Sequence, residues 1–267
     1  MKYLLFICVL AICMPTSGQS LPDKNFQDDA KYRVKLLDEF MARFNGEETH
    51  EMIAGEDSLK KDLNLLYLMD SEMFAVNRDS MQQLSNEFTD SIHANRTKLF
   101  FDDGQWFAEV KVNCTYVNKP TQITLYLRPE EIKPFQHRWV IVGAQGKILA
   151  LTPSQRNHGL DILPNNHEIG FMALPKIHLL GNDKILNYAT ANYHTDRLTA
   201  FYTMIYTGAL KMSSTDEITY HFFEVPGFAF TVKRHVRKGF NSGWLISQIK
   251  KIDDTDKFTY YKKYISE

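Results

Sequence analysis

The 267-residue chain has 31 Lys plus Arg against 32 Asp plus Glu, and no basic block or acidic tail interrupts it. Nothing in that balance implies binding to nucleic acid or to an anionic membrane surface. Cys8 and Cys13 lie in the leader described next, so Cys114 alone is left for the mature chain. No internal disulfide can then brace the fold, and stability has to come from a core built by roughly 250 residues.

Taken in order, the chain opens with Lys2, an apolar run from Leu4 to Met14 and the small residues Thr16-Ser17-Gly18. That pattern predicts an export signal over residues 1–18, cleaved before Gln19. Ile7 before Cys8 and Ile12 before Cys13 deny the small residue that a lipoprotein signal needs. The mature protein is expected outside the cytoplasm, periplasmic or extracellular, with no transmembrane segment.

Three amphipathic helices are predicted next. The first runs from about Asp29 to Phe44 with Leu37, Phe40, Met41 and Phe44 on one face, and Asn45-Gly46 stops it. Asp57-Ser58 caps a second carrying Leu59, Leu63, Leu66 and Tyr67, and Asp79-Ser80 opens a third carrying Met81, Leu84, Phe88 and Ile92. Leu99-Phe100-Phe101 reads as a strand that turns at Asp102-Asp103-Gly104. Between Gln105 and Arg128 lies a long hairpin in which Ala108, Val110, Val112, Cys114 and Tyr116 alternate with Glu109, Lys111, Asn113 and Thr115. Asn118 to Thr121 turns it into Ile123, Leu125 and Leu127. Pro129 to Pro134 breaks the pattern, and Trp139 to Val142 closes a first α+β unit over residues 19–150. On the apolar face of the hairpin Cys114 packs as a small hydrophobe.

Residues 151–182, with Pro153, Pro164 and Pro175, have no sustained period and read as a connecting segment. A second, smaller α+β part follows over 183–267. One helical turn falls near Lys184 to Tyr188, and Thr195-Asp196 caps a helix with Leu198, Phe201, Tyr202 and Ile205 that stops near Gly208. Alternating runs then place Ile218, Tyr220 and Phe222 on one strand and Phe228, Phe230 and Val232 on the next, across Pro226-Gly227. Asn241-Ser242-Gly243 leads to a closing strand from Trp244 to Ile252. Trp139-Val140-Ile141 and Trp244-Leu245-Ile246 occupy corresponding places in the two parts, as a degenerate repeat would, although a single larger body fits as well.

Motif chemistry is sparse. The chain has no HExxH, CxxC or GxSxG, and Gly143 to Lys147 is too short for a phosphate loop. No metal and no cofactor are expected. The densest polar constellation is His158, Asp161, Asn165, Asn166, His167 and Glu168, where imidazoles beside carboxylates suit proton transfer or a divalent ion. Their spacing matches no standard ligand pattern, and capping turns in water is the simpler use. Tyr220, Phe222, Phe228 and Phe230 are candidates to line an apolar ligand pocket or a partner groove, although aromatics at strand spacing are more often core. His221 falls on the opposite face from Tyr220 and Phe222, which suits a hydrogen bond between elements or a solvent-facing place.

RFNGEE at Arg43 to Glu48, the WFAEVKVNCTYVNK and QITLYLR strand pair, and RWVIVGAQG at Arg138 to Gly146 resemble the NTF2-like or cystatin-like α+β superfamily. NHEIGFMAL at Asn166 to Leu174 and YHFFEVPGFAFTV at Tyr220 to Val232 resemble uncharacterised exported proteins of Bacteroidota. The resemblance implies helices packed on a curved antiparallel sheet with a cavity at its wide end. It also brings in a short O-glycosylation pattern, matched at Asp57-Ser58-Leu59, Asp79-Ser80-Met81 and Asp90-Ser91-Ile92. That superfamily hosts hydratases, isomerases and adaptors, and none of its catalytic motifs falls on particular residues here. The expectation is an exported α+β protein of the cell envelope, without catalytic activity, that binds a protein partner or a small apolar ligand. Two alternatives stand beside it: a SnoaL-like hydratase or isomerase with acid-base residues inside the cone, and a purely structural envelope component.

Overall fold

The computed structural model describes residues 33–48, 57–102, 105–133, 136–150, 196–237 and 241–264. Their elements are α1 (Leu37–Phe44), α2 (Asp57–Leu68), a 3-10 turn (Ser71–Phe74), α3 (Arg78–Asn95), β1 (Trp106–Tyr116), β2 (Lys119–Lys133), β3 (Gln136–Gln145), a second 3-10 turn (Lys147–Leu149), α4 (Arg197–Tyr206), β4 (Leu210–Phe222), β5 (Phe228–His235), β6 (Gly243–Lys251) and α5 (Asp254–Tyr264). The strands form one open antiparallel sheet of six, ordered β3-β2-β1-β4-β5-β6. The fold is therefore α+β. β1 and β4 lie at the centre, paired from Trp106 opposite Phe222 to Tyr116 opposite Leu210.

Alternation decides what each face of the sheet carries. Trp106, Ala108, Val112 and Cys114 of β1, Ile123 and Leu125 of β2, and Phe222 of β4 point to one face and are buried. At its β4-β5-β6 end that face packs on Phe40, Met41 and Phe44 of α1, Leu65 and Leu68 of α2, and Phe88 and Ile92 of α3. At the other end Phe201 of α4 joins Val112, Cys114, Ile123, Leu125 and Leu149. The opposite face is mostly polar, except where α5 lays Tyr260 and Tyr261 against Phe107, Tyr126 and Phe223.

Several boundaries differ from the sequence reading, each for a local reason. Residues 33–36 do not continue α1 towards Asp29: Val34 forms a parallel bridge to Gly243, its N–H donating to the Ser242 carbonyl and its carbonyl accepting from Trp244. Pairing along the edge of β6 takes those residues out of the helix. Leu99-Phe100-Phe101 is not a strand. The Asn45 side chain bonds both the N–H and the carbonyl of Leu99, and the Phe100 carbonyl accepts from the Trp106 indole, so side chains replace a neighbouring strand. The first part accordingly supplies three strands instead of four.

The hairpin turns at Val117-Asn118, not at Asn118 to Thr121. Both residues have positive φ, 46° and 62°, which makes the tight two-residue loop whose twist matches the strands. Pro120 then lies in β2 opposite Thr115, ahead of the first β3 pair at Thr124, so its missing N–H interrupts no β3 bond. The expected break at Pro129 is absent too. β2 runs on to Lys133 with Pro129 opposite Trp139, beyond the point where β1 pairing ends at Leu127. α5 was not foreseen at all, although Asp253 accepts from the Asp256 N–H in the manner of a helix cap. The helical turn expected at Lys184 to Tyr188 lies outside the described residues.

Val117 is a β-branched residue held in the left-handed region, where such side chains clash with the following carbonyl. Val117→Asn is expected to stabilise the fold by about 1 kcal/mol, read as a higher urea midpoint with an unchanged slope. Cys114 is 3% exposed, and burial pushes its thiol pKa up. Ellman's reagent is expected to leave the native thiol unmodified and to titrate it once denaturant is added.

Candidate functional site

His158, Asp161, His167 and Glu168 lie outside the described residues. The four aromatic candidates are all described, and they do not behave alike. Phe222, Phe228 and Phe230 are core residues. Phe222 and Phe230 stack at 5.0 Å, Phe44 stacks on Phe230 at 5.7 Å, and Phe88 meets Phe228 edge-on at 5.6 Å. With α1 and α3 filling the space above them, these rings offer no side to a ligand or a partner. Each contributes about 1.5–3 kcal/mol by leaving water.

Tyr220 differs. It is only partly buried, its ring lies 4.9 Å from Trp244 and 6.0 Å from Trp106, and burial raises its hydroxyl pKa. Trp139 of β3 stacks on the same Tyr220 ring at 6.4 Å and meets Trp106 edge-on at 5.5 Å, and Phe101 closes on Trp139 at 6.0 Å. The result is a strip of five aromatic rings crossing the helix-bearing face. Trp139 is 43% exposed and Phe101 is 38% exposed. The alternating pattern marked Tyr220, but Trp139 became its neighbour only through the pairing that runs β3-β2-β1-β4.

The opposite face holds a second constellation, at the point where β1, β4 and α5 meet. His221 is 6% exposed and stacks flat on Phe107 at 4.7 Å. Its Nε2 lies 3.1 Å from Glu109 Oε2, and its Nδ1 lies 3.3 Å from the Tyr260 hydroxyl. Of the two uses the sequence allowed for His221, the bond between elements is the one observed. The hydrogen bond to His221 holds the Glu109 carboxyl below its usual range, against the raising effect of burial. Beside the imidazole is a cavity of about 30 Å³ lined by Thr231, Gln248, Lys250 and Tyr260 among others.

Further along the same face Glu217 bridges Lys111 of β1 and Lys233 of β5, at 2.5 Å to each. Those two ammonium groups pull its carboxyl down to about 2. Among the described residues no group of three His, Cys, Asp or Glu is arranged to hold a metal ion. Among those residues, too, no helix is long and apolar enough to cross a membrane.

No family model, curated protein or solved structure matches this chain.

Glu217 ties three strands together, and its depressed pKa has a stability consequence whose sign follows from linkage. The carboxyl titrates at 4.5 in the reference state and at about 2 in the folded protein, so its contribution is complete above 4.5 and fades as pH falls towards 2. Its side chain is 34% exposed, so solvent screening limits the contribution to roughly 1 kcal/mol. Glu217→Gln is expected to lower stability by that amount at neutral pH and to converge with the parent protein near the acid end, as read from urea unfolding across pH.

Proposed function

We propose that this chain is an exported, envelope-side protein without catalytic activity that acts by holding a protein partner against the aromatic strip formed by Phe101, Trp106, Trp139, Tyr220 and Trp244. The observation that carries this reading is the exposure of Trp139 and Phe101 on top of buried rings. A large aromatic left in water over a rigid support is a ready-made anchor for an interface, because its rotamer is already fixed by the packing beneath it. The apolar run at Leu4 to Met14 and the small residues after it support export. The NTF2-like assignment belongs to the same reading and is supported by three N-terminal helices packed on one face of an antiparallel sheet.

The hydratase or isomerase reading asks for a carboxylate or histidine on the helix-bearing face. Glu109 and His221 instead pair on the opposite face, so their geometry lends that reading no support. A structural envelope role is favoured by the burial of Phe228 and Phe230, whereas the exposure of Trp139 favours binding.

The test is site-specific photo-crosslinking of the full-length chain in its own host. A benzophenone amino acid at Trp139 is expected to give one discrete adduct with an envelope protein. The same group at Val117, exposed on the distant hairpin turn, is expected to give none. An unprocessed N-terminus, or identical crosslinking from both positions, would sink the reading.

A further inference from the structure

We propose that the end of the sheet formed by the β1–β2 turn and the α4–β4 junction docks on an anionic lipid surface, with Val117 and Tyr206 entering the headgroup layer. Trp139 packs on Trp106, at the opposite end of β1. The proposal therefore concerns a separate surface and does not rest on the partner reading.

Strain comes first. Val117 has a positive φ and is 62% exposed, so a β-branched side chain is held at the tip of a turn that Asn or Gly would form at less cost. Being exposed, it gains no burial in return. An apolar side chain kept in water against its backbone preference marks a place where it meets something outside the chain. Two more apolar side chains share this end. The Val117 N–H donates to the Ala209 carbonyl at 3.0 Å, which sets the turn beside the end of α4. Tyr206, the last residue of α4, is 92% exposed, and Met212, opposite Cys114, is 50% exposed.

Charge comes second, and the balance over the whole chain hides a local excess. The stretches that meet here, 115–123, 145–149 and 204–214, carry Lys119, Lys147 and Lys211 and no Asp or Glu. All three lysines are exposed, and among the described residues none is in an ion pair. Lys119 pairs opposite Tyr116 and Lys211 opposite Thr115, on adjacent rungs beside the turn. Lys147 follows Gly146, which lies against Ile123. The first acids farther along β4, Asp216 and Glu217, are already engaged, by Gln122 and by Lys111 and Lys233. Unpaired cations around protruding apolar groups match an anionic bilayer surface, which attracts the first and absorbs the second.

Shape decides against other partners. Trp139 has rings packed beneath it, whereas Tyr206 stands in water with almost no packing under it, a poor anchor for a protein interface. A headgroup layer accepts any rotamer and suits the amphipathic ring of tyrosine. Nucleic acid would ask for a longer row of cations and for arginine to grip phosphate. The three stretches hold no arginine.

The test uses the full chain and vesicles of phosphatidylcholine with or without phosphatidylglycerol. Hydrogen exchange is read at residues 116–120 and 205–212, which separates this contact from any binding through Leu4 to Met14. Phosphatidylglycerol vesicles are expected to slow exchange in both stretches, less so at high salt, and phosphatidylcholine alone to leave it unchanged. Lys119→Gln and Lys211→Gln are each expected to raise the lipid needed for half protection about fivefold. Val117→Asn, which relieves the strained turn, is expected to stabilise the fold and yet raise that requirement about tenfold. Weaker docking in that variant is then not a loss of folding. No slowing in either stretch, the same slowing from neutral vesicles or from inorganic phosphate, or an unchanged lipid requirement in Val117→Asn or in the lysine variants would each overturn the docking surface.

Discussion

The pairing of β1 with β4 is the constraint on which the other features depend. It runs the length of β1, from Trp106 at one end to Tyr116 at the other, and it fuses a β1-β2-β3 meander to a β4-β5-β6 meander in a single sheet. Each meander alone would leave a long edge of unpaired backbone groups. Together they bury that edge in the middle, where Trp106 stacks on Phe222 at 5.5 Å and anchors the helix-bearing core. Both candidate surfaces are products of the same seam. On one face it brings Tyr220 beside Trp106 and Trp139; on the other it sets His221 against Glu109.

The seam is not a perfect ladder. Register shifts fall between Lys111 and Val112 and again between Asn113 and Cys114. The extra residues are on β4, so β1 keeps an unbroken alternation while β4 bends around it. β1 can therefore send Val112 and Cys114 into the α4 core without interruption, and Glu217 still reaches two lysines on flanking strands. Straight β1 and bent β4 divide the work between packing and polar cross-linking.

Much of this was legible in the sequence where a pattern is local. The hairpin faces, the Asp196-capped helix and the turns at Gly227 and Gly243 follow from period and turn chemistry, and Asp196 does accept from the N–H groups of Leu198 and Thr199. What failed was also local, but it depended on partners. Pro120 and Pro129 read as breaks because proline cannot donate to a ladder, and whether a ladder runs on that side is set by strands elsewhere. Leu99 to Phe101 read as a strand because the residues are apolar, whereas Asn45 supplies their hydrogen bonds. The Glu109, His221 and Tyr260 group was beyond any window of sequence. It needs the β1 to β4 register and a helix whose only advance signal is Asp253. The masking of Phe222, Phe228 and Phe230 by helices follows from hydrophobic spacing, but the partial exposure of Tyr220 on the same strand does not.

The seam also sets an order of events. Lys111 and Glu217, bonded across it, are 106 residues apart in the chain, and closing so large a loop costs entropy before any contact repays it. Until β4 arrives, the first meander must hold its long inner edge and its apolar face open to other molecules. β1 is well suited to wait, since Glu109, Lys111 and Asn113 put charge and amide groups on the mostly polar face, where they discourage mispairing with another copy. The same polar row later receives His221 and Glu217. A set of residues that guards an unfinished sheet thus becomes, once the chain closes, the floor of its polar face.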